Sequence, residues 1–300
     1  MRSFAVAPAI VVLALVAGGC GGGARAVPGR NPSVPAPGTT AMPVTPGSDY
    51  LALGDSVSFG YREPTTTPTP DFTDAATFAG YPEVVATALG LHVANAACPG
   101  ETAASLVAAG AANLGCENSP DGSASYRTRF PLHVAYAGTQ LTYAISYLRA
   151  HPQTRLVTLM IGANDLFLCQ ATTKDRCVSE LGSVLDTVRG NVRQILSDLR
   201  GPAGYGGQIV VVGYYATDYA SARAAAVSRA LNTAVDTAAT PFAVDLADGY
   251  AGWKQATAGA GGDACKAGLL TELTTGACGV HPSAAGQTLL ARAVEQAVRR

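Results

Sequence analysis

The chain has 300 residues, 48% of them hydrophobic and 14% charged, which is enough apolar material to bury a full-sized core in one large domain with appendages. Its formal net charge of -1 at pH 7 offers no basic field to draw in nucleic acid and no strongly acidic surface. Nucleic acid is therefore excluded as an expected partner, and any other partner has to be argued from a site.

At the N-terminus, Arg2 precedes an apolar run from Phe4 to Val16, and the small residues Ala17, Gly18 and Gly19 lead to Cys20. The run has the make-up of an export signal and is too short for a membrane span. It resembles a bacterial lipoprotein signal, whose cysteine becomes the lipidated first residue of the mature chain, although Ala17 stands where that pattern more often has Leu. Residues 1–20 are read as signal peptide and Cys20 as the lipidation site. Acyl chains there would hold the protein on the outer face of the bacterial cell membrane without a spanning helix. Without lipidation the chain would be secreted. Residues 21–48 are mostly Gly, Pro, Ala, Thr and Ser, cannot bury a core, and are expected to be a disordered tether. As a random coil such a tether spans on the order of 30 Å, from ~5–6 Å × √n.

From residue 49 onward, short apolar runs alternate with stretches of helical period, the pattern of βαβ units and a parallel sheet in one domain over 49–300. Strands are predicted at Tyr50–Leu53, His92–Ala94, Leu156–Ile161, Ile209–Val212 and Phe242–Asp245, each without interior Pro, as strands buried on both faces require. Helices fit at Pro82–Leu89, Leu141–Arg149, Val178–Leu199, Ala220–Ala238 and Ala284–Val298, the last with Ser283 as N-cap. Two segments exceed a minimal α/β sandwich: the Thr- and Pro-rich Tyr61–Gly80 and the tyrosine-bearing Glu117–Gly138. Both follow strand ends, where open α/β sheets bind ligands, and are candidate substrate-contacting loops.

Besides Cys20 the chain has six cysteines, an even number in an exported protein, and disulfides are the natural reading. Of the 15 possible pairings, the expected set is the three sequence-local couples: Cys98-Cys116, Cys169-Cys177 and Cys265-Cys278. A zinc site is disfavoured, since no pair has CxxC spacing and no histidine cluster accompanies them.

Four fragments carry candidate chemistry: Gly54-Asp55-Ser56, Gly100 within Cys98-Pro99-Gly100-Glu101-Thr102, Gly162-Ala163-Asn164-Asp165, and His281-Pro282. A Gly-Asp-Ser after an apolar strand sets the hydroxyl at the strand's carboxyl edge, beside outward-pointing backbone N–H groups. Acyl transfer needs a nucleophilic hydroxyl, a base and preorganised oxyanion donors. Ser56 is the candidate nucleophile, with its own N–H, the N–H of Gly100 and the side-chain amide of Asn164 as donors. Of the four histidines, His92 begins a strand, His151 closes a helix and His133 lies in the long loop. His281, on a loop before the final helix, is the candidate base. Asp55 and Asp165 are read as structural, bonding backbone N–H groups in their turns.

In this order the fragments resemble the SGNH hydrolase family, also called GDSL, across residues 49–300. The resemblance implies a flavodoxin-like three-layer α/β/α sandwich with a five-stranded parallel sheet, and it implies the roles of Ser56, Gly100, Asn164 and His281 given above. The G-x-S-x-G elbow of the α/β-hydrolases is absent, because Gly54-Asp55-Ser56-Val57-Ser58 lacks its last glycine. The family usually has an aspartate three residues before the histidine, to orient the imidazole. Here that residue is Cys278. Some secreted members use a backbone carbonyl instead, so the resemblance implies a Ser–His dyad oriented by the Cys278 carbonyl or a neighbour, with Asp263 as the alternative. Secreted members with a cysteine in the oxyanion block often have three local bridges, which agrees with the pairing above.

The expected function is a secreted serine esterase or lipase acting through an acyl-enzyme on Ser56. Its partners would be an ester substrate, lipid or acylated small molecule, and the membrane surface through the anchor, with the protein a monomer. The alternatives are an O-acetyl polysaccharide or peptidoglycan deacetylase, and a non-catalytic envelope-binding lipoprotein favoured only by Cys278. No cofactor or metal is implied, since no Gly-rich phosphate loop opens a helix.

Overall fold

The computed structural model describes residues 41–300; the signal peptide, Cys20 and residues 21–40 of the expected tether lie outside the described residues. Five strands form one parallel sheet: β1 (Asp49–Gly54), β2 (His92–Asn95), β3 (Thr154–Met160), β4 (Gln208–Val212) and β5 (Asp245–Ala247), in the order β2-β1-β3-β4-β5. Strand β4 is buried throughout and β3 nearly so. Their Val- and Leu-rich composition, without polar alternation, suits a strand covered on both faces.

The helices are α1 (Ser56–Phe59), α2 (Tyr81–Leu89), α3 (Ala103–Val107), α4 (Tyr126–Arg129), α5 (Gln140–Ala150), α6 (Ala163–Thr172), α7 (Leu181–Arg200), α8 (Ala222–Ala239), α9 (Gly249–Thr257) and α10 (Ala284–Ala297). Helices α2, α9 and α10 make one packed layer, and α3, α5, α7 and α8 make the other, giving a three-layer sandwich around the sheet. A two-stranded antiparallel ribbon, β6 (Leu270–Glu272) with β7 (Cys278–Pro282), lies outside the main sheet. Among the described residues no helix is long and apolar enough to cross a membrane.

Register decides what meets at the carboxyl edge. Pairing of Ala52 with Asn95 and of Gly54 with Met160 brings the ends of β2, β1 and β3 level. The three connections that follow, carrying Gly100, Ser56 and Asn164, therefore emerge side by side. The strand order reverses direction between β1 and β3, the place where open α/β sheets form a ligand crevice.

Several expected boundaries move for local reasons. The fifth strand starts at Asp245 rather than Phe242, because Thr240–Phe242 form a 3-10 turn and Ala243 is left-handed at φ 50°. Helix α7 starts at Leu181 rather than Val178, after Arg176 and Cys177 at φ 56° and 65° break the helical path. The domain also begins earlier than residue 49. Val44 is buried and its N–H donates to the Arg299 carbonyl, while the Met42 carbonyl accepts from Gln208. Residues 42–48 thus belong to the folded unit rather than to a tether.

Candidate active site

Ser56 opens α1 directly after β1, and Asp55 caps that turn by accepting the Val57 N–H at 2.9 Å. The preceding Gly54 has φ 150°, and a Cβ there would lie 2.4 Å from the Met160 carbonyl oxygen. Only glycine lets the turn close against β3.

The Ser56 Oγ lies 2.9 Å from His281 Nε2. On the other side of the ring, His281 Nδ1 lies 2.8 Å from Glu63 Oε1. A carboxylate at Nδ1 assigns the proton to that nitrogen, which leaves Nε2 to accept from the serine hydroxyl. Glu63 also accepts the Thr271 hydroxyl at 2.6 Å and the Val280 N–H at 3.0 Å. Partial burial alone would raise its pKa. The hydrogen bond and charge of His281, with the Thr271 bond, outweigh burial and hold the carboxyl at about 2.

The orienting group is therefore Glu63, and the expectation of a Cys278 backbone carbonyl is corrected. Cys278 is disulfide-bonded to Cys265 at the start of β7, and His281 sits on that strand rather than on a loop. The ribbon turns the imidazole's Nδ1 towards the segment that follows α1. Asp263, the other alternative, instead accepts the Cys265 and Lys266 N–H groups in its own turn. Glu63 falls within the loop singled out as substrate-contacting, but no motif marks it. The three other histidines are engaged elsewhere: His92 is exposed at the start of β2, His151 bonds the Tyr147 carbonyl, and His133 bonds the Phe59 carbonyl.

Gly100 has φ 86°, and a Cβ there would meet the Leu114 carbonyl oxygen at 2.5 Å. Its loop is pinned to the sheet edge where the Cys98 N–H donates to the Gly54 carbonyl. The Asn164 side chain gives one amide hydrogen to the Glu101 carbonyl at 2.9 Å, which fixes its rotamer and leaves the second for a substrate. The Asp165 carboxylate accepts the Ala103 N–H at 2.8 Å. The remaining couples, Cys98-Cys116 and Cys169-Cys177, are bonded, with Cα–Cα distances of 5.6 and 5.3 Å.

Two adjoining cavities of about 450 and 510 Å³ flank this centre, and both are lined by Ser56, Asn164, Phe167, Val280 and His281. The first adds Tyr214, Tyr215, Leu231 and the polar Thr217, Ser221 and Gln170. The second adds Gly100 and an aromatic wall of Tyr61, Phe72, Tyr126 and Phe130. That wall comes from both extra segments, Tyr61–Gly80 and Glu117–Gly138. The Tyr61 ring packs edge-on to the His281 imidazole, with centroids 4.9 Å apart. Asp55, fully buried beside the serine, accepts the Tyr214 hydroxyl; burial raises it to about 6 against the pull of that bond.

A hydroxyl, an imidazole and a carboxylate in one hydrogen-bonded line, with a free amide hydrogen and a glycine loop facing the same cleft, is the apparatus of acyl transfer. The profile described as the GDSL-like Lipase/Acylhydrolase family matches residues 52–289. No curated protein matches the chain. Among solved structures, Axe2, an acetylxylan esterase from Geobacillus stearothermophilus, is 18% identical with a TM-score of 0.52, covering 85% of this chain and 95% of that one. A protein described as a GDSL-like lipase, from Parabacteroides merdae, is 16% identical with a TM-score of 0.54, covering 86% and 98%. At these identities the similarity speaks for the fold.

Proposed function

Because the chain belongs to the GDSL-like lipase/acylhydrolase family and is a carboxylic ester hydrolase, we propose that it cleaves its substrate through an acyl-enzyme on Ser56. The carrying observation is the unbroken line Ser56 Oγ, His281, Glu63 at 2.9 and 2.8 Å. In this reading Nε2 of His281 takes the Ser56 proton as Oγ attacks the ester carbonyl. The N–H groups of Ser56 and Gly100 and the free Asn164 amide hydrogen receive the oxyanion, a role in which one donor is worth about 10²–10³ in turnover. His281 then gives its proton to the departing alcohol, and the same steps with water release the acid.

For the substrate, the aromatic cavity supports an ester with an apolar acyl or alkyl part held against Phe72, Tyr126 and Phe130. An acetylated carbohydrate is the second reading, favoured by the fold shared with Axe2. Against it, the single tryptophan, Trp253, is fully buried and stacked on Tyr215, and so offers no platform for a sugar. The non-catalytic reading loses its basis once Glu63 supplies the carboxylate that Cys278 lacks. Three disulfides suit an oxidising compartment outside the cytoplasm, and attachment through a lipidated Cys20 remains part of the proposal.

Hydrolysis of p-nitrophenyl esters from acetate to palmitate tests this reading, with Ser56→Ala and His281→Ala alongside. Activity that grows with acyl length and vanishes in both variants is the expected result. Activity on acetate alone would move the substrate to small acetyl esters. A folded wild-type protein that hydrolyses none and does not react with a fluorophosphonate at Ser56 would overturn the reading.

A further inference from the structure

Helix α5 contributes no residue to the lining of either cavity, yet its first side chain reaches both halves of the acyl-transfer apparatus. Gln140, 1% exposed, follows the N-cap Thr139. Its Oε1 accepts the Gly54 N–H at 2.6 Å, and its Nε2 donates to the Gly54 carbonyl at 3.0 Å. The amide thus pairs with both the N–H and the C=O of Gly54, two residues before the nucleophile, which fixes which end is oxygen. The second hydrogen on Nε2 goes to Glu101 Oε2 at 3.3 Å. Glu101 is 2% exposed and directly follows Gly100. Its other carboxylate oxygen accepts the Ser105 hydroxyl, and its main-chain carbonyl holds the Asn164 amide.

From these contacts we infer that Gln140 is a positioning residue: its single amide sets the Ser56 turn against the loop bearing Gly100, and through Glu101 sets the rotamer of Asn164. The inference rests on the acyl-enzyme reading above. The physical ground is that oxyanion stabilisation depends on donors fixed before the reaction, and misplacement by about 1 Å costs on the order of 10²-fold. A buried amide using its oxygen and both hydrogens, on the Gly54 backbone and the Glu101 carboxylate, resists such displacement better than apolar packing would.

Gln140→Leu keeps the volume and removes every one of these bonds. For a p-nitrophenyl ester the expected result is a fall in kcat of about ten- to a hundredfold, with KM within about twofold. The rate of fluorophosphonate reaction at Ser56 should fall by the same factor, because it forms the same kind of oxyanion-like centre. Gln140→Glu, in case the leucine variant does not fold, places two carboxylates face to face and is expected to lose at least as much. Adding Glu101→Gln restores a donor–acceptor pair with the roles exchanged, and part of kcat returns. A folded Gln140→Leu protein with kcat and labelling rate within twofold of wild type would overturn the inference while leaving the acyl-enzyme reading intact. So would a double variant that recovers nothing over Gln140→Glu. A wild-type protein inert to both ester and probe would overturn the acyl-enzyme reading, and this one with it.

Discussion

The carboxylate of Glu63 is 218 positions from the imidazole it bonds and lies within the segment that follows α1. Ser56, Gly100, Asn164 and His281 could be picked from the sequence because each stands in a short motif at a strand end or before a helix. Glu63 stands in Arg62-Glu63-Pro64, where nothing periodic constrains it and only the folded position of β7 gives it a partner. Three residues before the histidine the sequence offers only Cys278, with Asp263 further off, so the acid's true position is not legible locally. A full charge at Nδ1 makes a sharper prediction than a carbonyl would. Glu63→Gln keeps the shape but can offer its amide N–H to Nδ1, which favours the wrong tautomer and leaves Nε2 unable to accept from Ser56. A fall in kcat of about 10³–10⁴ is expected, by analogy with triads whose carboxylate is amidated. Steady-state kinetics with p-nitrophenyl butyrate checks it, and a loss below about threefold would return the orienting role to the backbone.

At the level of elements, the sheet strands and the main packing helices are legible in the sequence, whereas α1, α3, α4, α6, α9 and the β6–β7 ribbon are not. Strands β1, β3 and β4 and helices α2, α5, α8 and α10 lie within a few residues of their expected spans, because burial on both sheet faces or along one helix stripe writes a continuous pattern. The β6–β7 ribbon has no legible sequence signature. Its strands have three and five residues, and β7 is buried only at Pro282, too little for a readable alternation. Yet this ribbon carries His281 and donates the Val280 N–H to Glu63, and Thr274 bonds the Thr65 carbonyl beside it. The bridge Cys265–Cys278 ties the turn end of the ribbon to the segment before β6, closing a loop 13 residues in separation, for which loop entropy gives about 3 kcal/mol. In a domain of this size, that corresponds to a loss of roughly 6–12 °C in Tm at about 2–4 °C per kcal/mol. The Cys265→Ser/Cys278→Ser variant should therefore melt lower and also lose turnover at 25 °C. Cys169→Ser/Cys177→Ser, whose bridge ties α6 to the segment after it and holds no acid–base group, should keep more of its turnover. Scanning calorimetry and initial rates on both variants decide this. Equal turnover in the two would mean that the ribbon is held by its contacts with the Glu63 loop alone.

Across the whole molecule, buried carboxyls acting with opposite sign decide how stability depends on pH. Three buried carboxyls surround the crevice without taking part in the proton transfers. Burial raises Asp55 to about 6 against the Tyr214 bond, Glu101 to about 7 against the Ser105 bond, and Asp165 to about 7 against the Ala103 bond. Each binds a proton in the folded protein at a pH where the unfolded chain has released it. Folding stability therefore falls as pH rises through the window from about 4 to 7, and the cost is fully in place above it. Glu63 acts with the opposite sign: its carboxyl is held down at about 2, so the stability it contributes is complete above about 4.5 and lost as pH falls towards 2. The two trends set maximal stability near pH 4 to 5. Calorimetry from pH 4 to 9 should show Tm higher at pH 5 than at pH 8. Asp165→Asn isolates one contributor, since its amide oxygen still accepts the Ala103 N–H but no longer titrates. Its Tm should change less between pH 5 and 8 than the wild-type value. A wild-type Tm that is flat or rises over that interval would show that these carboxyls are not held protonated by the fold.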